Sequence, residues 1–246
     1  MKKLAFLTAS ILVAATAFAQ NARRPAPNDS FASDRQTIPV VANVTGFGGA
    51  TFTSYVALLN PTASSVNVTA SLFNGSGART DKSITLAAGQ LQTYTNFLND
   101  VFGATGGGAV TLNTGDPSAR IIVNSEVRSG GFGTTVPALE FAGTSSRSFA
   151  PGITVDSTSR TNIGCFDQSG NGNTVRATIL DNTGKQTLGT VTLNLAPNAW
   201  GQSPVNAVVS GGYVQFDPSD NAVCYAVVVN NTTQDGRFVQ AAEYRP

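Results

Sequence analysis

Along most of the chain, apolar and polar residues alternate with a period of two. In SVNVTASLF, Val66, Val68, Ala70 and Leu72 fall on one face of a strand and Asn67, Thr69 and Ser71 on the other. TVRATIL repeats the pattern, with Val175, Ala177 and Ile179 opposed to Thr174, Arg176 and Thr178. Strands of this kind recur between the turn signals NPTAS, NGSG, DQSGNGN and DNTG. The one helical signal is NFLNDVFG at 96–103, long enough for a turn or two. The pattern predicts an all-β chain of short antiparallel strands with one dry and one wet face.

The pattern also repeats at long range. Val68 matches Val175, Ala70 matches Ala177, Gly77 matches Gly184, Leu86-Ala87 matches Leu195-Ala196, and Gly107 matches Gly211. Upstream of a one-residue gap, Thr53 falls on Thr161 and Ala57 on Cys165; downstream, ARIIVNSEV at 119 meets AVCYAVVVN at 222. VPALEFAG and VQAAEYRP close the two copies alike. A period near a hundred residues indicates a duplicated domain rather than a short solenoid repeat. Seven or eight alternating strands per copy predict two tandem immunoglobulin-like antiparallel β-sandwiches. The expected division is 1–19, 20–35, 36–143 and 144–246, with the two copies joined near GTSSRS.

The first two segments carry the targeting information. MKKLAFLTASILVAATAFAQ has a basic start, an apolar run and the small-residue box Ala17-Phe18-Ala19, the pattern of a cleaved signal peptide. The mature chain is expected to begin at Gln20, to reach the periplasm or the extracellular space, and to have no transmembrane segment. QNARRPAPNDSFASDR, 20–35, is polar and without period, as in a flexible leader.

Composition narrows the function classes. Removing Lys2 and Lys3 takes the balance from 15 basic and 14 acidic residues to 13 and 14. With no basic cluster, nucleic acid is not an expected partner. SRTNIG, TVRATILDNTGK, LAPNAWGQ, GGYVQF and CYAVVVNNTTQDG, with the looser YVALLNP and GGGAVTL of the first copy, resemble a tandem repeat of exported, mostly uncharacterised bacterial proteins. The resemblance covers 36–246. It implies immunoglobulin-like sandwiches and export, and carries over no catalytic motif.

The two cysteines, Cys165 and Cys224, suit a single disulfide in an oxidising compartment. Ile121, Val123 and Val127 share the apolar face around the counterpart of Cys224. Ala57, the counterpart of Cys165, has the parity of Tyr55 and Leu59, so both thiols are expected to point inward. On an early and a late strand they would bridge the two sheets, as in antibody-type domains. The first copy, without cysteines, would compensate through Tyr55, Leu58, Leu59 and Phe73.

Chemistry is harder to find. The chain has no histidine, which removes the usual general base and the commonest metal ligand. Lys82 and Lys185 fall in or beside turns, and most aspartates stand in turn contexts such as GDPS, DNTG and DPSD. No catalytic residue, metal site or cofactor is therefore expected. DQSGNGN at 167–173 offers one carboxylate, too few for calcium. Trp200, the only tryptophan, is the one candidate ligand contact, as a sugar-stacking platform. Its counterpart Leu91 alternates inward, which favours core or half-buried packing.

These readings lead to an exported, non-enzymatic structural, adhesive or scaffold protein of the bacterial cell envelope or extracellular space. Two alternatives stand beside it. One is a module that binds carbohydrate or another ligand through Trp200. The other is a fibre subunit assembled by strand addition, with the leader and TIPVVANV added to a neighbour's sheet, although TIPVVANV reads equally as the first strand of its own domain, the safer reading. Partners would be other envelope proteins, further copies of itself, or glycans.

Overall fold

The computed structural model describes residues 32–140 and 143–244; the expected signal peptide and most of the expected leader lie outside them. The described chain is all-β, with antiparallel pairing throughout. Its first half holds β1 (Arg35–Thr45), β2 (Thr51–Leu59), β3 (Val66–Phe73), β4 (Arg79–Leu86), β5 (Leu91–Tyr94), β6 (Gly106–Asn113), β7 (Ile122–Ser129) and β8 (Phe132–Thr135). A π-helical turn, Leu98–Phe102, stands where the sequence placed its helical signal. The second half holds β9 (Ser148–Val155), β10 (Ser159–Asp167), β11 (Asn173–Leu180), β12 (Thr187–Leu195), β13 (Trp200–Pro204), β14 (Val209–Pro218), β15 (Ala222–Asn230), β16 (Gly236–Gln240) and β17 (Ala242–Glu243).

The halves use one arrangement. Strand order is β13-β10-β15-β16 facing β12-β11-β14-β9-β17 in the second half, and β4-β3-β6-β1 continuing into β2-β7-β8, with β5 on β2, in the first. The first half's two layers are one sheet, because β1 serves both. It pairs β6 from Arg35 to Asn43, then β2 from Asn43 to Thr45. The bend follows a register shift between Ile38 and Val41 that contains Pro39, where a missing N–H costs no ladder bond. Held on both sides, β1 is built into its own sandwich. The leader's last residues join it: Ser33 is buried and exchanges backbone hydrogen bonds with Ile121.

The alternation read from sequence is the alternation of burial. Val66, Val68, Ala70 and Leu72 are buried in the first core, and Val175, Ala177 and Ile179 in the second. The hairpin turns at Asn74–Gly77 and Asp181–Gly184 are equivalent. In each, an Asx oxygen accepts backbone N–H groups (Asn74 from Ser76 at 2.9 Å, Asp181 from Lys185 at 3.1 Å) and the glycine takes a positive φ.

In β2 and β10 the sequence register was off by one. Asn60, just past the end of β2, and Asp167, the last residue of β10, are each buried and each organise the following loop, so Cys165 corresponds to Leu58 and not to Ala57. A one-residue slip exchanges faces. The inward residues of β2 are Ser54, Val56 and Leu58, while Tyr55, Ala57 and Leu59 face outward and only Leu58 and Phe73 of the four expected compensating residues are buried. Cys224 corresponds to Val123; that slip of two residues keeps the face.

Candidate functional site

Cys165 and Cys224 form a disulfide, and both are buried in the second core. Contrary to the expectation from sequence, the bridge does not join the two sheets. It links β10 to β15, neighbours in one sheet, where the two cysteines are directly opposite with Cα atoms 4.2 Å apart. That separation matches the narrow pairs of an antiparallel ladder, whose inward side chains approach most closely.

The outer face of the same sheet is covered by the first half. There Trp200 and Phe166, paired across β13 and β10, meet Phe73 and Ala109 of β3 and β6. The Phe73 and Phe166 rings lie 5.1 Å apart. The indole ring of Trp200 rests on the backbone of Gly107, where any β-carbon would come within 2.8 Å of the ring. The Trp200 backbone N–H donates to the Asn74 carbonyl (3.1 Å), and its indole N–H donates to the Tyr225 hydroxyl (3.0 Å). Trp200 is thus half-buried in the junction between halves, with its ring turned to protein. Its counterpart Leu91 does not point inward; it is 61% exposed, on the outer face of β5.

Tyr225, which the sequence allows on an outer face of the second sandwich, completes the junction from that face. It is fully buried against the first core, stacked on Phe238 at 5.1 Å, and its hydroxyl donates to Gln202 (3.2 Å). Burial pushes its phenol far up, so it stays neutral. The ring lies across Gly164, its cross-strand partner, which has no side chain to obstruct it. The signal was the CYAVVV run, apolar at consecutive positions, which marks a strand buried on both faces. The linker is pinned as well, through reciprocal backbone hydrogen bonds between Thr144 and Ala222.

Two openings flank this junction. A polar cleft of about 690 Å³ is lined by Arg35, Thr37, Ser71, Arg79, Thr111 and Asn113 of the first half and by Gln168, Asn198 and Asn221 of the second. Gln168 spans it, donating to Thr37 Oγ1 (3.2 Å). On the other side lies an apolar crevice of about 360 Å³, walled by Val40, Ala42, Val44, Phe52, Val127 and Val136 from one half and Val227, Val229 and Pro204 from the other.

The loop DQSGNGN is organised by its own carboxylate. Asp167 accepts from Ser169 N–H and Oγ, from Gly172 N–H and from Asn198 N–H. Burial alone would raise this carboxyl; the hydrogen bonds from Ser169, Asn198 and Gly172 outweigh it and hold the group below its ordinary value. Asp156, Asp181 and Asp116 are lowered in the same way by the hydroxyls of their own turns. Lys82 is on exposed β4 and Lys185 in an exposed turn. Among the described residues, no three His, Cys, Asp or Glu side chains converge on a point that could hold a metal ion, and no helix is long and apolar enough to cross a membrane. No protein-family model matches the chain, and no curated protein is similar to it in sequence.

Proposed function

We propose that this is an exported, non-enzymatic structural protein of the bacterial cell envelope or extracellular space, a stiff two-sandwich unit that acts through its surfaces. The observation that carries the reading is the junction. Phe166, Trp200 and Tyr225 are spent on fixing one sandwich against the other, an investment in a fixed shape rather than in a reaction centre. Asp156, Asp167 and Asp181 serve local turns, and among the described residues no acid, base and nucleophile are seen together, which is what catalysis would require. The signal-peptide pattern and a formed disulfide support export, because such bonds persist outside the reducing cytosol. Intact mass of the protein from fractionated producing cells tests the compartment. The expected species is found outside the cytoplasm, begins at Gln20 and carries the disulfide; a reduced cytoplasmic chain retaining Met1 would overturn the proposal.

The hydroxyl and amide lining of the polar cleft favours a second reading, a glycan-binding role at the seam between halves. Trp200 would support the cleft's geometry rather than stack on sugar. Glycan-array binding lost on Arg35→Ala with the melting temperature unchanged would establish it.

A further inference from the structure

The apolar crevice has a feature its walls do not explain: a single cation at its edge. Arg160 of β10 lines it, half-buried, with its guanidinium 5.2 Å above the ring of Phe47. Its partners are neutral amide oxygens, Asn231 Oδ1 (3.1 Å) and Gln234 Oε1 (2.7 Å). These use two of the five N–H donors of the fork. Among the described residues no carboxylate lines the crevice. Desolvation already lowers this arginine's pKa, the sign of a charge held partly out of water without a counter-ion.

From this juxtaposition we propose that the crevice binds an amphipathic anion, with its apolar body between the valine walls and a carboxylate or similar head on the free donors of Arg160. The volume is that of a small-molecule site, and apolar walls with a few polar groups at one end are the usual make-up of one. A head group would supply the counter-charge that Arg160 lacks, through charge-assisted hydrogen bonds matched to its planar fork. Asn162 and Gln202 stand along the same wall and offer further neutral contacts. The site exists only at the seam, since Val40, Ala42 and Val44 come from β1 and Val227 and Val229 from β15. It is independent of the structural role and of the polar cleft.

The test uses the full oxidised chain and 1-anilinonaphthalene-8-sulfonate, an apolar anion that fluoresces when bound. Saturable one-to-one binding is expected, displaced by dodecanoate and not by dodecanol. Arg160→Gln should weaken it about tenfold or more, the scale of a hydrogen bond to a charged group, and Arg160→Lys should restore part of it. Val44→Trp, at a partly exposed position on the crevice wall, should block it by filling the space. Thermal melts confirm that each variant folds. Competition by dodecanoate alone assigns a free amphiphile; competition by an apolar peptide with a free C-terminus, and not by its amide, assigns a chain end. Absence of binding, equal displacement by dodecanol, or binding untouched by both Arg160→Gln and Val44→Trp in folded protein would overturn the proposal.

Discussion

The indole N–H of Trp200 donates to the hydroxyl of Tyr225 across 3.0 Å, and between them these two side chains hold the second sandwich against the first. Trp200 reaches forward over Gly107, while Tyr225 is buried beneath it against the first core. Tyr225→Phe keeps the packing and deletes the hydroxyl, leaving the indole N–H and Gln202 without their partner. The expected loss is about 1–3 kcal/mol in urea unfolding. Trp200 fluorescence should shift as the ring loosens; an unchanged midpoint and spectrum would contradict the role assigned to the pair.

Gly107→Leu places a side chain where the Trp200 ring sits, 2.8 Å from the position of its first carbon. The first sandwich has its core on the other face of β6, in Val110 and Leu112, so it should remain folded. The expected result is two separated unfolding transitions in place of coupled ones. Calorimetry checks this, and a single cooperative transition at the original temperature would count against the junction as described.

Removing the disulfide with Cys165→Ala and Cys224→Ala should lower stability by roughly 2–4 kcal/mol, because the unfolded chain regains the freedom of a 59-residue separation. The two positions stay paired by the β10–β15 ladder, so the fold should survive. Thiol titration of the denatured, unreduced wild-type chain should find no free thiol; two per chain would refute the bridge.

Asp167 makes stability depend on acid. Its folded pKa lies below the unfolded value, about 3.9 for an ordinary aspartate, so its contribution is present above that value and is lost as the pH falls through the folded one. Asp167→Ala should cost about 1–3 kcal/mol at neutral pH, since the N–H groups of Ser169, Gly172 and Asn198 lose their acceptor. The gap between variant and wild type should close in acid. Urea midpoints measured across the acid range check the sign, and a gap that widens in acid would contradict it.

Residues that obey one rule at a time were legible in the sequence. Val66, Val68 and Ala70 alternate because one face of β3 is wet, and the equivalent turns of Asn74 and Asp181 follow from side chains that bond their own backbone. The inward orientation of Cys165 was read correctly from a mistaken register, since Asn60, not the strand's apolar pattern, marks where β2 ends. What escaped was the junction. Gly107 and Gly164 read as ordinary strand glycines until Trp200 and Tyr225 are placed over them, and among the described residues Leu91 stays exposed on the face that the second copy buries. A duplicated sequence reports the fold that the copies share; it says little about the contact that makes them unequal. The Arg160 crevice is hidden for the same reason, since it is assembled from both copies.

If the two sandwiches form one stiff body, as proposed, the distance across the seam is fixed, and it can be measured. Ser83 of β4 and Thr192 of β12 are exposed strand residues on opposite halves and can carry spin labels after substitution with cysteine, with the Cys165–Cys224 bridge left intact. Pulsed electron spin resonance should give a single narrow distance distribution in the wild-type background, broadened by Gly107→Leu. A broad distribution in the wild-type background would contradict the account, because it would mean that the halves move independently despite Trp200 and Tyr225.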